Sequence, residues 1–200
     1  MSNSESATPA GELAAPESAT SATSALENDL EFESSLKLDG RERITIRYKV
    51  TNRTNRPYLI FNRLPAHLDS TDVAPDENSV YVEPQPDGTV EISKRAYVAP
   101  DGPAVNTPYI PGASELLPGA SISEQIVVNL PLGRRRPYMS VVPAPAMPNP
   151  IRKVKFCVGV AQADRSAARA FGSGKNRALY PQYSVLPTQQ LLCGPIVTLE

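Results

Sequence analysis

Apolar and polar residues alternate most clearly between positions 43 and 51. Ile44, Ile46, Tyr48 and Val50 occupy every second position, and charged or hydroxyl-bearing residues fill the positions between them. Successive side chains of a β-strand point to opposite faces, so this period of two indicates a strand with one buried and one solvated face. An α-helix would spread the same four residues around its circumference, and we therefore predict a strand here.

Other segments repeat this pattern less regularly. Apolar residues share one face between 122 and 130, and again between 152 and 161, where Phe156 lies among valines at alternate positions. Further strands are predicted at 31–38, 58–61, 80–82, 90–92 and 191–199. Seven or eight short strands without a dependable helix favour an antiparallel sandwich or barrel over any alternation of strands and helices.

Turns and long loops separate the predicted strands. Asp39-Gly40 predicts a tight turn, and Asp87-Gly88 predicts a hairpin. Proline-rich or polar segments predict long loops at 62–78, 99–120, 131–150 and 162–182, with one helical stretch at 163–171. The fold that we predict is all-β, an antiparallel immunoglobulin-like β-sandwich. The term describes shape only, because the chain has no Trp and lacks the Cys…Trp…Cys spacing of antibody domains.

Composition divides the chain into a tail and a domain. Residues 1–28 are mainly Ser, Ala, Thr, Glu and Pro, which cannot bury enough apolar surface to offset the entropy of ordering. We predict a disordered acidic tail over 1–30 and one sandwich domain over 31–200. Residues 1–33 hold seven acidic and no basic side chains. Of the chain's 21 acidic and 20 basic residues, 14 acidic and 20 basic ones remain for the domain, a net charge of +6.

The location of the protein is left open by its sequence. No apolar run approaches the length of about 18 residues that a membrane span needs, and the first residues, Met-Ser-Asn-Ser-Glu-Ser, lack the basic and apolar regions of a secretory signal. The chain as printed predicts a cytoplasmic protein. A periplasmic or secreted protein is predicted instead if a signal has been trimmed from it.

No combination of residues in the sequence specifies a reaction. The chain has one histidine, His67, in a polar loop, and it contains no nucleophile elbow, phosphate loop or dinucleotide fingerprint. Two cysteines and one distant histidine do not make a zinc site. We therefore predict no catalytic residue, no cofactor and no metal.

Two groups of residues are candidates for a bond or a contact. Cys157 and Cys193 lie in predicted strands, and a disulfide between them would form if those strands were neighbours in an oxidising compartment; otherwise both would be free thiols. Arg134, Arg135 and Arg136 with Tyr138 form the most basic cluster. It could contact an anionic protein partner or nucleic acid, or be a solvated loop, and of the two partners the sequence favours a protein.

Part of the chain resembles bacterial immunoglobulin-like modules, including the intracellular proteinase inhibitor family. The resemblance rests on two segments: Tyr48-Lys-Val-Thr-Asn52 before Arg56-Pro57, and Leu116-Leu-Pro-Gly-Ala-Ser121 before Ile126-Val-Val-Asn-Leu130. In such modules a strand ending in Thr-Asn opens the sandwich, and a later Leu-x-Pro-Gly turn begins another strand. The resemblance implies a sandwich fold, and an inhibitory loop is one function that it suggests.

Three functions remain open at this point. The first is a non-enzymatic protein-binding or structural module that presents long loops from a rigid sandwich, since loops of more than about 12–15 residues tend to be functional or disordered. The second is a protease inhibitor of the immunoglobulin-like type. The third is an enzyme whose site the sequence does not reveal. The sequence favours the first, with another protein as the partner.

Overall fold

The structure is a computed structural model, and it describes residues 29–68, 74–100, 108–143, 145–163 and 168–199. The predicted disordered tail falls almost entirely on residues 1–28, which lie outside the described residues. The prediction of a mainly β protein is confirmed. No helix in the described ranges is long and apolar enough to cross a membrane.

Twelve strands and two short 3-10 helices are formed by the described residues. The helices are Gly174–Asn176 and Tyr183–Thr188. The strands are β1 (Leu30–Asp39), β2 (Arg43–Asn52), β3 (Tyr58–Arg63), β4 (Tyr81–Pro84), β5 (Thr89–Lys94), β6 (Gly112–Leu116), β7 (Ser121–Asn129), β8 (Lys153–Gln162), β9 (Ala168–Phe171), β10 (Ala178–Pro181), β11 (Gln190–Cys193) and β12 (Val197–Thr198).

Three of these strands form a small antiparallel sheet in the order β1-β2-β7. Each pairing runs without a register shift: β1 pairs with β2 from Leu30 opposite Asn52 to Asp39 opposite Arg43. Gly40 has a φ of 63°, which a glycine adopts without steric cost, so the predicted Asp39-Gly40 turn leads directly from β1 towards β2. The small sheet is therefore a regular hairpin of β1 and β2, completed by β7 from a distant part of the sequence.

The remaining strands form a larger sheet around β8. On one side β8 pairs first with β5 and then with β3; on the other side it pairs with β12 and then with β11. β3 continues the sheet through β6 and β10 to β9, and β5 continues it to β4. The prediction of a wholly antiparallel fold is wrong at one place, because β5 and β8 run parallel.

The two sheets bury a common apolar core between them. Ile44, Ile46 and Val50 of the small sheet are fully buried against Val154 and Phe156 of the large one. A second apolar cluster lies on the opposite face of the large sheet, where Leu59 and Phe61 of β3 meet the 3-10 helix at Tyr183–Thr188. The large sheet is thus buried on both faces near β3, and its strands there read as continuous apolar runs.

Several predicted loops contain strands. β6 lies within the predicted loop 99–120, and β9 and β10 lie within 162–182. The helical stretch predicted over 163–171 is wrong where it can be checked, because 168–171 form β9. The strand predicted at 191–199 is divided into β11 and β12. β6, β9 and β10 carry too few alternating residues to be predicted. β6 is held between β3 and β10, and β9 pairs with β10.

Candidate functional site

The first strand forms an open edge of the small sheet. β1 is ten residues long and has no bulge, and within the described part of the chain β2 is the only strand that pairs with it. An edge strand presents backbone N–H and C=O groups that can pair with another strand. A long regular edge is consequently a candidate site for binding an extended segment.

The direction of the backbone groups along β1 follows from hydrogen bonds at the ends of β2. The N–H of Arg53 donates to the carbonyl of Asp29, and the N–H of Asn52 donates in the opposite direction to Ala120 beside β7. The backbone groups of Asp29 thus point towards β2. Because these groups alternate in direction from residue to residue along a strand, the odd-numbered residues of β1 bond to β2. The backbone groups that point outwards belong to the even-numbered residues, Leu30, Phe32, Ser34, Leu36 and Leu38.

The outer edges of β4 and β7 are covered in part. Val82 of β4 exchanges two backbone hydrogen bonds with Arg135, at 2.8 and 3.0 Å. The outward N–H of Val127 on β7 donates to the Asn78 side-chain oxygen at 2.8 Å. No such contact from the described residues reaches the outward groups of β1. The outermost strand at the far end of the large sheet, β9, also pairs with one strand in the described part of the chain, but it has four residues against ten in β1, which makes β1 the best candidate binding edge.

The side chains of β1 give this edge two different faces. Phe32, Leu36 and Leu38 are half-buried against the core between the sheets. Glu31 and Lys37 lie on the solvated face, where Glu31 accepts a hydrogen bond from Arg53 at 2.6 Å and Lys37 lies 3.4 Å from Asp39. A strand added at this edge would meet an apolar row on one face and a row of both charges on the other.

A buried polar cluster lies where β7 crosses the ends of β3 and β5. Lys94 is fully buried, and its Nζ donates to Glu124 Oε2 at 2.9 Å and to the backbone carbonyls of Glu77 and Asn62 at 2.9 and 3.3 Å. Glu124 also accepts from Tyr48 Oη and Asn62 Nδ2, both at 2.7 Å. Burial lowers the pKa of Lys94, and the adjacent Glu124 carboxylate opposes this effect.

The structure brings the two predicted cysteines together. Cys157 on β8 and Cys193 on β11 are directly paired across neighbouring strands, and their sulfur atoms are joined in a disulfide. Cys157 is fully buried. This bond ties the C-terminal strands to the central strand of the large sheet.

The arginine cluster contacts the protein's own backbone. Arg135 donates to the carbonyls of Val80 and Pro65 at 2.5 and 2.7 Å. Arg136 is buried, pairs with Glu83 at 3.2 Å and donates to the carbonyl of Val142. These bonds hold the crossing at 131–150 against the large sheet, and they leave little of the two guanidinium groups for a partner.

Arg134 and Tyr138 complete that cluster. Arg134 donates to the carbonyl of Pro145, and Tyr138 Oη accepts from the N–H of Tyr109 at 2.7 Å. Tyr138 has a φ of 62°, which a residue other than glycine rarely adopts. The partner contact predicted for the four residues stays a prediction, and the positions of Arg135, Arg136 and Tyr138 give each a structural role.

Neither the open edge nor the Lys94 cluster can be predicted from the sequence. Whether β1 lies at an edge depends on which strands pair with β2, and Lys94 was indistinguishable from a solvated lysine. The one available signal was the regular alternation in β1. No group of three or more His, Cys, Asp or Glu residues that could hold a metal ion occurs in the described ranges.

Comparisons with protein-family models, with curated proteins and with solved structures find no match to the chain.

Proposed function

We propose that the protein is a non-enzymatic protein-binding module that binds by strand pairing along β1, and that its partner strand is β1 of a second copy. The observation that carries this proposal is the ten-residue edge whose outward backbone groups meet no other described segment. The long loops suggested by the sequence are less suited to the role, since Arg135 and Arg136 fix the 131–150 crossing to its own domain.

The sequence of β1 supports pairing with a second copy. If two β1 strands run antiparallel about an axis at Ser34, each Leu30 faces Leu38 of the other copy and each Phe32 faces Leu36. The same register sets each Glu31 opposite Lys37 of the other copy. The residues of the apolar pairs are even-numbered and have outward backbone groups, so this register also sets hydrogen-bonding positions of the two strands opposite each other. Cross-strand apolar and opposite-charge pairs each stabilise a sheet by about 0.2–1 kcal/mol.

The proposed assembly is one six-stranded sheet that runs through both copies. We also propose that each copy is an immunoglobulin-like sandwich, which the two packed sheets support. The shared sheet would extend this sandwich. Pairing would satisfy the outward N–H and C=O groups of both edges at once. It would also remove from each copy the edge that is most open to unspecific aggregation.

Substitution of Lys37 by Glu tests the charge pairing. In the variant, each Glu31 would face a glutamate at position 37 of the other copy. The two opposite-charge pairs of the dimer would thereby become two pairs of like charge. We expect the dimer dissociation constant, measured by sedimentation velocity over a concentration series, to rise about tenfold. Lys153→Glu makes the same charge change at an exposed position on β8 and should leave the constant unchanged.

Two results would contradict the proposal. The first is a wild-type chain that sediments as a monomer at every concentration up to the millimolar range. The second is a dimer whose dissociation constant responds equally to Lys37→Glu and Lys153→Glu, which would mean that overall charge controls association.

A further inference from the structure

The end of β5 and the end of β3 meet beside β8. Lys94, the last residue of β5, pairs with Val158, while Ile60 of β3 pairs with Val160 on the same side of β8. Ile60 is the last residue of β3 that pairs with β8, and the register between β3 and β6 shifts after it. Asn62 therefore lies next to Lys94, and the Lys94 Nζ reaches the Asn62 backbone carbonyl at 3.3 Å.

One carboxylate binds both side chains. Glu124 comes from the opposite sheet, with Oε1 accepting from Asn62 Nδ2 at 2.7 Å and Oε2 accepting from Lys94 Nζ at 2.9 Å. Lys94 is 0% exposed and Asn62 is 1% exposed, so the amine and the carboxamide are both buried beside the carboxylate that they share. An amine, a carboxamide and a carboxyl group that can transfer protons are the groups needed for amide exchange.

We propose that Lys94 and Asn62 become joined by an amide bond, with Glu124 transferring the protons. The Lys94 ammonium gives a proton to the Glu124 carboxylate, and the neutral amine attacks Asn62 Cγ. Glu124 places that proton on the carboxamide oxygen, and the proton that the attacking nitrogen loses passes through Glu124 to the departing NH₂. The Cγ–Nδ2 bond breaks, the new Cγ–Nζ bond remains and one ammonia leaves. As the carbonyl re-forms, its oxygen returns the first proton to Glu124, so no oxidant or other reactant is needed.

Two features of the site favour this reaction. Burial lowers the pKa of Lys94, which increases the share of the nucleophilic neutral amine. Asn62 Oδ1 is buried without a hydrogen-bond partner. Once Glu124 carries a proton, rotation of the Asn62 carboxamide about its Cβ–Cγ bond would bring Oδ1 to Glu124. Oδ1 would then accept a hydrogen bond from the protonated carboxyl group, which would polarise the carbonyl for attack.

The bond would link β3 and β5 directly at the place where they follow one another along β8. There the two strands are joined through β8, through the Lys94 hydrogen bond to Asn62 and through Glu124, which binds both side chains. A covalent link between their ends would close that join, and it would leave Glu124 protonated and able to donate to the new amide. The bond is independent of the pairing proposed for β1.

The mass of the full-length chain tests this inference. We expect the purified, reduced and denatured protein to weigh about 17 Da less than its sequence, the mass of one ammonia. A succinimide at another asparagine would lose the same mass, so the decisive product is a protease fragment pair in which the Asn62 peptide is joined to the Lys94 peptide.

Glu124→Gln and Glu33→Gln are the matched variants. Glu124→Gln cannot transfer the protons and should keep the full mass of its sequence, whereas Glu33→Gln, an exposed change on β1, should still lose ammonia. A wild-type chain of full sequence mass would overturn the proposal, whatever the variants do. Formation of the joined peptides in Glu124→Gln would overturn the role of Glu124.

Discussion

Buried tyrosines show how strongly this fold constrains single residues. Burial raises the pKa of Tyr48 and Tyr81 well above 10.0, and it raises the pKa of Tyr97 as well. The pKa of Tyr109 rises to about 12, again chiefly through burial. Each hydroxyl therefore stays protonated in the folded protein at a pH where it would ionise in the unfolded chain.

This difference predicts a loss of stability in alkali. Below pH 10 both states keep these protons, and the stabilisation is fully present. Above pH 10 the unfolded chain releases them and the folded one does not, so the free energy of unfolding falls as pH rises. Urea unfolding at pH 8, 10 and 11 should show this fall. Absorbance at 295 nm should show most tyrosinate appearing with unfolding, and ionisation of all tyrosines before unfolding would refute the account.

Sequence patterns predicted the strands of this molecule where one face is buried and the other is solvated. β2 and β8 lie close to their predicted bounds because their core-facing apolar residues alternate. β6 has no comparable pattern: its sequence is Gly-Ala-Ser-Glu-Leu, and pairing with β3 and β10 holds it in place. The open edge of β1 could not be predicted either, since the edge is a property of the sheet order.

The close fit of β6 between its neighbours predicts the effect of a single methyl group. A Cβ at Gly112 would lie 2.9 Å from both the Cβ and the carbonyl oxygen of Arg63, and 3.0 Å from the Cβ of Ala178. Gly112→Ala should therefore lower the free energy of unfolding by about 2 kcal/mol, measured by urea denaturation. A Cβ at Gly133 would meet no atom within 4 Å, so Gly133→Ala is the control. Equal effects of the two variants would contradict this packing.

At the scale of the whole molecule, β8 organises the fold. It contacts strands on both sides along its length, carries Phe156 into the core and bears Cys157. Of its four partner strands, β3 and β5 precede it in the sequence, and β11 and β12 follow it. The two sheets and the C-terminal strands are therefore held by long-range contacts, and the sequence could suggest their existence but not their order.

The disulfide should contribute to the stability of this arrangement. Cys157 and Cys193 are 36 residues apart, and closing a loop of that length stabilises a fold by about 3–4 kcal/mol in the chain-entropy model. Reduction should lower the free energy of unfolding by this amount, with two thiols appearing on alkylation. If two thiols were titrated before any reductant was added, or if reduction left stability unchanged, the bond would have no such role.

Amide hydrogen exchange along β1, followed by NMR at low and high protein concentration, tests the central claim most directly. The account predicts that amides of the odd-numbered residues Glu33, Ser35 and Lys37 exchange slowly at both concentrations, because they bond to β2. Amides of Phe32, Ser34, Leu36 and Leu38 should exchange fast in dilute solution and become protected as the second copy binds. Exchange at these four positions that does not depend on concentration would contradict pairing along β1.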